Sequence, residues 1–191
     1  MNASKEPFLM FIARTPGAVI SELLRVATAA GLVSRLGDRL FDPSNSHQSL
    51  SDRHDDTHAE LMRMIQVGDG LQAHAFDFSL DRIASGGRDR VDWRFESSAG
   101  KTPEFLALLV AMRAAFANVD GIEDQVRHAP HVTFAYGAPA AIPTVRFPAV
   151  SWHLARIELV RRMRDPYRYD TLAGWDLLPP THRGAAQPPL F

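Results

Sequence analysis

The chain has no cysteine among its 191 residues. This absence excludes a disulfide scaffold, a thiolate-zinc site, an iron–sulfur cluster and a cysteine nucleophile. Long apolar runs are absent as well. The run from Phe8 to Ala13 is far too short for a signal-peptide core or a membrane span, and no other stretch approaches about 18 uninterrupted apolar residues. We therefore expect a cytoplasmic protein with no membrane partner.

A cationic excess is also missing, since the formal net charge is −1. A protein that coats long stretches of nucleic acid needs many positive charges to neutralise phosphates. A long nucleic-acid footprint is therefore excluded, whereas a partner with one or two phosphates is not. The hydrophobic share of 46% and the charged share of 23% are ordinary for a globular protein. The length fits one compact domain, or two small lobes that share a core.

The first part of the chain carries a strand, a helix and a short polar motif in that order. The apolar run Phe8 to Arg14 predicts a buried strand. Thr15-Pro16 predicts the start of a helix that continues to about Ala30, because threonine is a good N-cap and proline is favoured at the first helical position. A loop then leads to His47-Gln48-Ser49-Leu50.

The same order recurs later. The alternating segment Val91 to Phe95 predicts a half-buried strand, Thr102-Pro103 predicts the start of a second helix, and a loop leads to His131-Val132-Thr133-Phe134. The two threonines before proline are 87 residues apart, and the two motif histidines are 84 apart. This near-equal spacing indicates one duplicated unit with a small insertion.

The remaining segments favour further strands and one more helix, which together indicate an α+β fold. The duplication predicts two pseudo-symmetric lobes, each a mostly antiparallel sheet with helices outside, and a cleft for the active site between them. We expect residues 1–178 to form a single domain of two lobes, and residues 179–191 to form a proline-rich C-terminal tail.

Strand periodicity places the polar residues of each motif together. Successive side chains of a strand point to opposite faces, so His131 and Thr133 share one face, and His47 and Ser49 share another. Two pseudo-symmetric lobes can bring these faces together across a cleft. The cleft would then hold two imidazoles and two hydroxyls in near-symmetric positions.

This set of groups suits in-line displacement at phosphorus. Such a reaction needs a general base and a general acid on opposite sides of the phosphorus. Imidazole has an unperturbed pKa of about 6.5, so both of its protonation states are accessible near neutral pH. The hydroxyls can donate hydrogen bonds to the non-bridging oxygens. No metal is necessary for this chemistry, and we expect no cofactor.

At these residues the sequence resembles the 2H phosphoesterase superfamily, named for its two His-x-Thr/Ser-x motifs. The closer resemblance is to its bacterial 2′-5′ RNA ligase-like branch, also called RNA 2′,3′-cyclic phosphodiesterases, and it extends from about Pro7 to Leu178. It implies hydrolysis of a 2′,3′-cyclic phosphate, on an RNA 3′ end or a small cyclic nucleotide, to a 2′-phosphomonoester. In some members it also implies reversible 2′-5′ ligation. It makes His47 the proton donor and His131 the proton acceptor.

Two positions depart from the usual pattern of that superfamily. Gln48 occupies a place that is usually apolar, so its side chain needs a partner or an edge strand. Tyr136 stands where many relatives have an arginine, and it is our candidate for substrate binding. The charge that balances the phosphate could then come from any of several arginines: Arg82, Arg94, Arg156, Arg161 or Arg162. These departures also motivate an alternative, a nucleotide- or RNA-end-binding protein of the same fold with little catalysis.

Other residues allow further interpretations. His54 and His58 are four residues apart, which on a helix could bind a divalent metal with nearby aspartates, although a solvated helix start is the simpler interpretation. Alternating aromatic side chains could form a base-stacking platform but are typical of a core: Phe76, Phe78, Trp93, Phe95 and Tyr136. The remaining histidines are expected to be structural or exposed: His74, His128, His153 and His182.

Overall fold

The computed structural model describes residues 6–87 and 90–180. Within these ranges the chain forms three α-helices and nine β-strands. The helices are α1 (Gly17–Ala29), α2 (His58–Asp69) and α3 (Pro103–Ala117). The strands are β1 (Phe8–Arg14), β2 (His47–Ser49), β3 (His54–Asp55), β4 (Phe76–Gly86), β5 (Asp92–Glu96), β6 (His131–Ala135), β7 (Val145–Leu154), β8 (Arg156–Arg164) and β9 (Tyr167–Asp176).

The described strands form two antiparallel sheets of matching order. The first lobe has the order β2-β1-β8-β9, with β3 also paired to β1, and the second lobe has the order β6-β5-β4-β7. In each lobe the strand that precedes the long helix therefore pairs with the strand that carries the histidine motif. This confirms the predicted α+β fold with two related lobes.

One continuous core connects the two sheets and the helices. Leu9 and Phe11 on β1 belong to the same buried cluster as Phe78 on β4 and Phe105 on α3. Helix α2 packs on β8 and β9, α3 packs on β4, and α1 packs on β7 of the second lobe. The helix of the first repeat thus lies against the sheet of the second. The lobes share a core, which fixes the relative position of the two motif strands.

The starts of the long helices differ between the repeats. Thr102 caps α3 as predicted, because its hydroxyl accepts a hydrogen bond from the Phe105 amide. The prediction that Thr15 caps α1 is wrong. The cap position is Pro16, and the buried Thr15 hydroxyl has no hydrogen-bond partner within the described ranges. The Thr15 amide instead donates to the Ser46 carbonyl, which extends the pairing of β1 toward β2.

Two further expectations concern the whole chain. No helix among the described residues is long and apolar enough to cross a membrane. The proposed tail begins at Pro179, and its residues 181–191, including His182, lie outside the described ranges. A single domain over residues 1–178 therefore stays a prediction, although the shared core agrees with it.

Candidate functional site

A polar cleft of about 400 Å³ lies where the edge strands β2 and β6 of the two lobes meet. All five predicted site residues line it: His47, Ser49, His131, Thr133 and Tyr136. The structure therefore places together side chains that are up to 89 positions apart in the sequence. Their catalytic roles remain predictions, but their convergence on one cavity is a structural result.

His47 is held by two contacts. Its Nδ1 donates to the carbonyl of Asn45, two residues earlier, at 2.7 Å. Its ring meets the Tyr169 ring edge-to-face, with centroids 4.7 Å apart. Asn45 also fixes the start of β9, since its amide group donates to the Tyr167 carbonyl and accepts from the Tyr169 amide. The His47 ring is therefore locked, and Nε2 is the nitrogen left for a molecule in the cleft.

His131 repeats this arrangement in the second lobe. Its Nδ1 donates to the carbonyl of Ala129, again two residues earlier, at 2.8 Å. A carbonyl can only accept, so Nδ1 carries the proton in both histidines and Nε2 is the basic nitrogen of the neutral ring. The two repeats thus present the same ring nitrogen in the same tautomer.

Gln48 joins the two motifs directly. Its side chain is fully buried, and its Oε1 accepts a hydrogen bond from the His131 amide at 2.6 Å. Its Nε2 donates to the carbonyls of Ser49 and Ala129. Both expectations for this residue are met, because β2 is an edge strand and the amide side chain has partners. Gln48 therefore fixes the loop whose Ala129 carbonyl also accepts the hydrogen bond from the His131 ring.

Burial shifts the protonation of both histidines. Desolvation lowers the pKa of His47 to about 4, opposed by its hydrogen bond to Asn45 and assisted by the charge of His131. Desolvation also lowers the pKa of His131, opposed by its hydrogen bond to Ala129 and assisted by Arg94. Both rings are therefore neutral at pH 7 in the free protein. A bound anion would raise both pKa values, because it favours the charged imidazolium.

The hydroxyls lie two residues beyond the histidines on the same strand faces. Ser49 stands opposite Ile12 in the β1–β2 ladder, and Thr133 stands opposite Arg94 in the β5–β6 ladder. This register puts an arginine beside the second hydroxyl only. Arg94 therefore places positive charge beside Thr133.

One of the five arginines that were candidates for balancing the phosphate charge lies in the cleft. Of the five candidates, Arg94 lines the cleft, and its Nε is buried without a hydrogen-bond partner in the described part of the chain. The other four lie outside this cavity, and three of them form ion pairs elsewhere: Arg82 with Glu96, Arg156 with Asp176, and Arg161 with Asp56.

Sequence reasoning missed four charged residues of the cleft, Asp52, Arg53, Arg90 and Asp92. Arg53 and Arg90 line it, and the buried Asp92 contacts both Arg90 and Arg94. Asp92 therefore holds two guanidinium groups at one wall. Arg53 lies only four residues beyond Ser49, which is a signal that could have been used. Arg90 precedes β5 in a polar turn and has no distinguishing pattern.

Of the histidines expected to be structural or exposed, one lines the cleft and two lie away from it. His128 was expected in the background, yet it lines the cleft, and burial lowers its pKa. His74 donates to the Pro179 carbonyl and His153 contacts Asp77, so both have local structural partners away from the cleft. His128 is thus an additional cleft residue that the sequence pattern did not distinguish.

The histidine pair proposed for metal binding does not share a helix. His54 lies on β3, whereas His58 is the first residue of α2. Both ring nitrogens of His54 contact carboxylates, Nδ1 with Glu60 at 2.8 Å and Nε2 with Asp124 at 3.0 Å. Burial alone would lower the pKa of His54, but these two carboxylates raise it. The helical spacing behind the metal hypothesis is therefore wrong, and His54 serves as a buried cross-link.

The alternating aromatic residues are core, with one exception. Phe76, Phe78, Trp93 and Phe95 are buried in the shared core, whereas Tyr136 lines the cleft beyond the end of β6. Burial raises the pKa of Tyr136, opposed by its interaction with Thr133. Its hydroxyl is therefore a neutral donor near the proposed substrate.

A larger surface cavity, about 980 Å³, lies beside the end of α3. Four of its lining side chains are carboxylates, Asp52, Asp120, Glu123 and Asp124, against the single cation Arg113. This negative lining repels phosphate. The smaller cleft with the histidines has the charge that an anionic ligand requires.

Solved structures share this fold. A crystal structure of a phosphoesterase matches with a TM-score of 0.68 and 20% identity, over 90% of this chain and 98% of that one. E. coli LigT complexed with 3′-AMP gives a TM-score of 0.69 and 21% identity, over 90% and 99%. Its complex with phosphate gives 0.67 and 20%, over 91% and 99%. No protein-family model and no curated protein matches the sequence.

Proposed function

We propose that this protein is a 2H phosphoesterase that hydrolyses 2′,3′-cyclic phosphates to 2′-phosphomonoesters without a metal ion. The observation that carries the proposal is the pair of equivalent imidazoles. His47 and His131 begin matching strands, donate from Nδ1 to matching carbonyls, and line one cleft with Arg94, whose buried Nε has no hydrogen-bond partner in the described part of the chain. The E. coli relative was solved with phosphate and with 3′-AMP, which supports a nucleotide ligand.

The proposed reaction is an in-line displacement at phosphorus. A water oxygen attacks the phosphorus as the bond to the 3′ oxygen breaks. His131 takes the water proton on Nε2, and His47 gives a proton from Nε2 to the departing 3′ oxygen. The product carries a 2′-phosphate and a free 3′ hydroxyl. A 5′ hydroxyl in place of water would form a 2′-5′ linkage by the same two proton transfers, which is the proposed reversible ligation.

The other cleft residues have supporting roles in this scheme. Ser49 and Thr133 donate hydrogen bonds to the non-bridging oxygens, and Arg94 balances their charge. That negative charge also raises the pKa of His47 from its free value of about 4, so the donor gains its proton when substrate binds. We propose the cytoplasm as the setting of the reaction.

The first test is hydrolysis of the four nucleoside 2′,3′-cyclic phosphates, with the products resolved chromatographically as 2′- or 3′-phosphates. We expect 2′-phosphates only, with turnover unchanged by EDTA. His131→Ala should lower kcat/KM by about 10²–10⁴-fold, and His74→Ala is the control because His74 lies outside the cleft. Turnover that requires an added divalent metal, or that His131→Ala leaves intact, would overturn the proposal.

A binding protein of the same fold with little catalysis is the alternative. Its motives were the departures at Gln48 and Tyr136, and the Gln48 side chain has hydrogen-bond partners inside the fold. Tight binding of nucleotides with no turnover by the wild-type protein would favour this alternative.

A further inference from the structure

A second cavity, of about 440 Å³, lies next to the cleft. The two cavities share three lining residues, Arg53, Arg90 and Tyr136. A molecule that fills the cleft can therefore continue past these residues into the second cavity. Each volume falls within the range of small-molecule pockets, about 300–1,000 Å³.

Three aromatic rings line the second cavity. The segment before β2 crosses to the second lobe, where the Phe41 amide donates to the Phe134 carbonyl of β6 at 2.8 Å. The Phe41 ring contacts Tyr136 edge-to-face at 5.1 Å and Tyr167 edge-to-face at 5.5 Å, measured between centroids. Both lobes therefore contribute to one aromatic surface, and Tyr167 is exposed.

The aromatic surface continues to the cleft histidine. The hydroxyls of Tyr167 and Tyr169 are 3.0 Å apart, and the Tyr169 ring contacts the His47 ring. A planar group on the aromatic surface is thus connected to the proposed reaction centre through packed side chains.

The second cavity is cationic. Four arginines line it, Arg39, Arg53, Arg90 and Arg162, against Asp38 and Asp42. Asp42 is already used, because it accepts hydrogen bonds from the amide and hydroxyl of Ser44.

Two of these arginines stack on the aromatic surface and are preorganised. The Arg90 guanidinium lies 4.7 Å from the Tyr136 ring centroid, and that of Arg162 lies 5.1 Å from the Tyr167 centroid. Arg162 Nε is buried and has no hydrogen-bond partner in the described part of the chain. The cavity therefore offers positive charge beside π-faces.

We propose that the second cavity binds the nucleotide on the 5′ side of the cyclic-phosphate nucleotide. This inference rests on the proposed function. The base of that neighbour contacts the aromatic surface of Phe41, Tyr136 and Tyr167, since aromatic rings stack any base. The linking phosphodiester passes Arg53, which lines both cavities. The preferred substrate is then an RNA end of at least two nucleotides rather than a cyclic mononucleotide.

The experiment compares adenosine 2′,3′-cyclic phosphate with the dinucleotide ApA that ends in a 2′,3′-cyclic phosphate. We expect kcat/KM for the dinucleotide to be higher by about tenfold, the scale of one stacked base. Arg39→Ala should remove most of this advantage and leave the mononucleotide rate unchanged, because Arg39 lines the second cavity and not the cleft. Tyr167→Ala should also remove most of the advantage. Arg113→Ala is the matched control, because Arg113 is exposed on α3 and lines neither cavity.

A binding measurement separates this inference from the proposed function. Calorimetry compares adenosine 2′-phosphate with ApA ending in a 2′-phosphate, and needs no turnover. Tighter binding of the dinucleotide that Arg39→Ala removes supports the second cavity even if neither cyclic compound is hydrolysed, an outcome that would overturn only the proposed function. Equal kcat/KM and equal affinity for the one- and two-nucleotide compounds would overturn the inference and leave the hydrolysis proposal standing.

Discussion

In both lobes the motif histidine begins an edge strand and donates from Nδ1 to the carbonyl two residues earlier. The residues around these matching rings differ. Arg14 stands opposite His47 across the first ladder, whereas Glu96 stands opposite His131 across the second. Arg14 lowers the pKa of His47, and Glu96 raises that of His131, each as a contribution smaller than burial. A near-symmetric backbone thus places a positive charge opposite one histidine and a negative charge opposite the other.

This difference bears on the proposed roles. The resemblance makes His47 the proton donor, yet in the free protein burial holds its pKa at about 4. The negative charge of the bound phosphate must therefore raise the pKa of His47 enough for this ring to hold a proton. If it does not, the roles are exchanged and His131 donates. Mutation, pH dependence and NMR titration can each test this asymmetry between the lobes.

The largest effect is expected from removing either imidazole. His47→Ala and His131→Ala should each lower kcat/KM for the cyclic phosphate by about 10²–10⁴-fold, the usual contribution of a general acid or base. A substrate with sulfur in place of the 3′ oxygen distinguishes them, because a thiolate leaves without protonation. His47→Ala should regain most of its activity on the sulfur analogue, and His131→Ala should not. The opposite pattern would assign His131 as the donor.

The second effect is a pH profile displaced to the acid side. The active free protein has one protonated and one neutral histidine, and burial lowers both pKa values. Above about pH 6.5 the doubly neutral form dominates, so kcat/KM should fall about tenfold per pH unit. The fall in kcat should begin at higher pH, because bound phosphate raises both values. An optimum of kcat/KM near pH 8 would contradict the lowered pKa values.

NMR titration of the two rings sharpens the same comparison in the free protein. We expect the His47 signal to titrate near pH 4 and the pKa of His131 to lie below the ordinary value of an imidazole. Signals that titrate together would remove the asymmetry between the lobes.

The sequence alone predicted the repeat, the sheets and the two motif faces, because strand and helix periodicities are local properties. It did not predict Arg53, Arg90 or His128 in the cleft, since these residues lie in loops or turns whose positions depend on the packing of both lobes. Arg94 could only be one of several candidates, because its selection depends on the register that sets it opposite Thr133.

The third effect concerns the residue that follows each motif histidine, Gln48 in the first lobe and Val132 in the second. Val132 packs in the core, whereas Gln48 bonds to the His131 amide and the Ala129 carbonyl. Gln48→Leu keeps the volume but removes these bonds, so the free energy of unfolding should fall by about 1–3 kcal/mol. We also expect kcat to fall several-fold with little change in KM. The control is Gln66→Leu, because Gln66 is exposed on α2.

Chemical denaturation and steady-state kinetics on these two variants separate two roles for Gln48. Lower stability with unchanged kcat would show that Gln48 only joins the lobes. Lower kcat in properly folded protein, at saturating substrate, would identify it as a positioning residue for His131.

The smallest effect compares the two threonines that precede proline. Thr102 caps α3 through its hydroxyl, so Thr102→Val should lower the free energy of unfolding by about 1 kcal/mol. The Thr15 hydroxyl is buried without a partner in the described ranges, so Thr15→Val replaces an unsatisfied polar atom with a methyl group and should be neutral or stabilising. Equal losses in urea denaturation would mean that Thr15 has a hydrogen-bond partner in solution, and that the first repeat begins its helix as the second does.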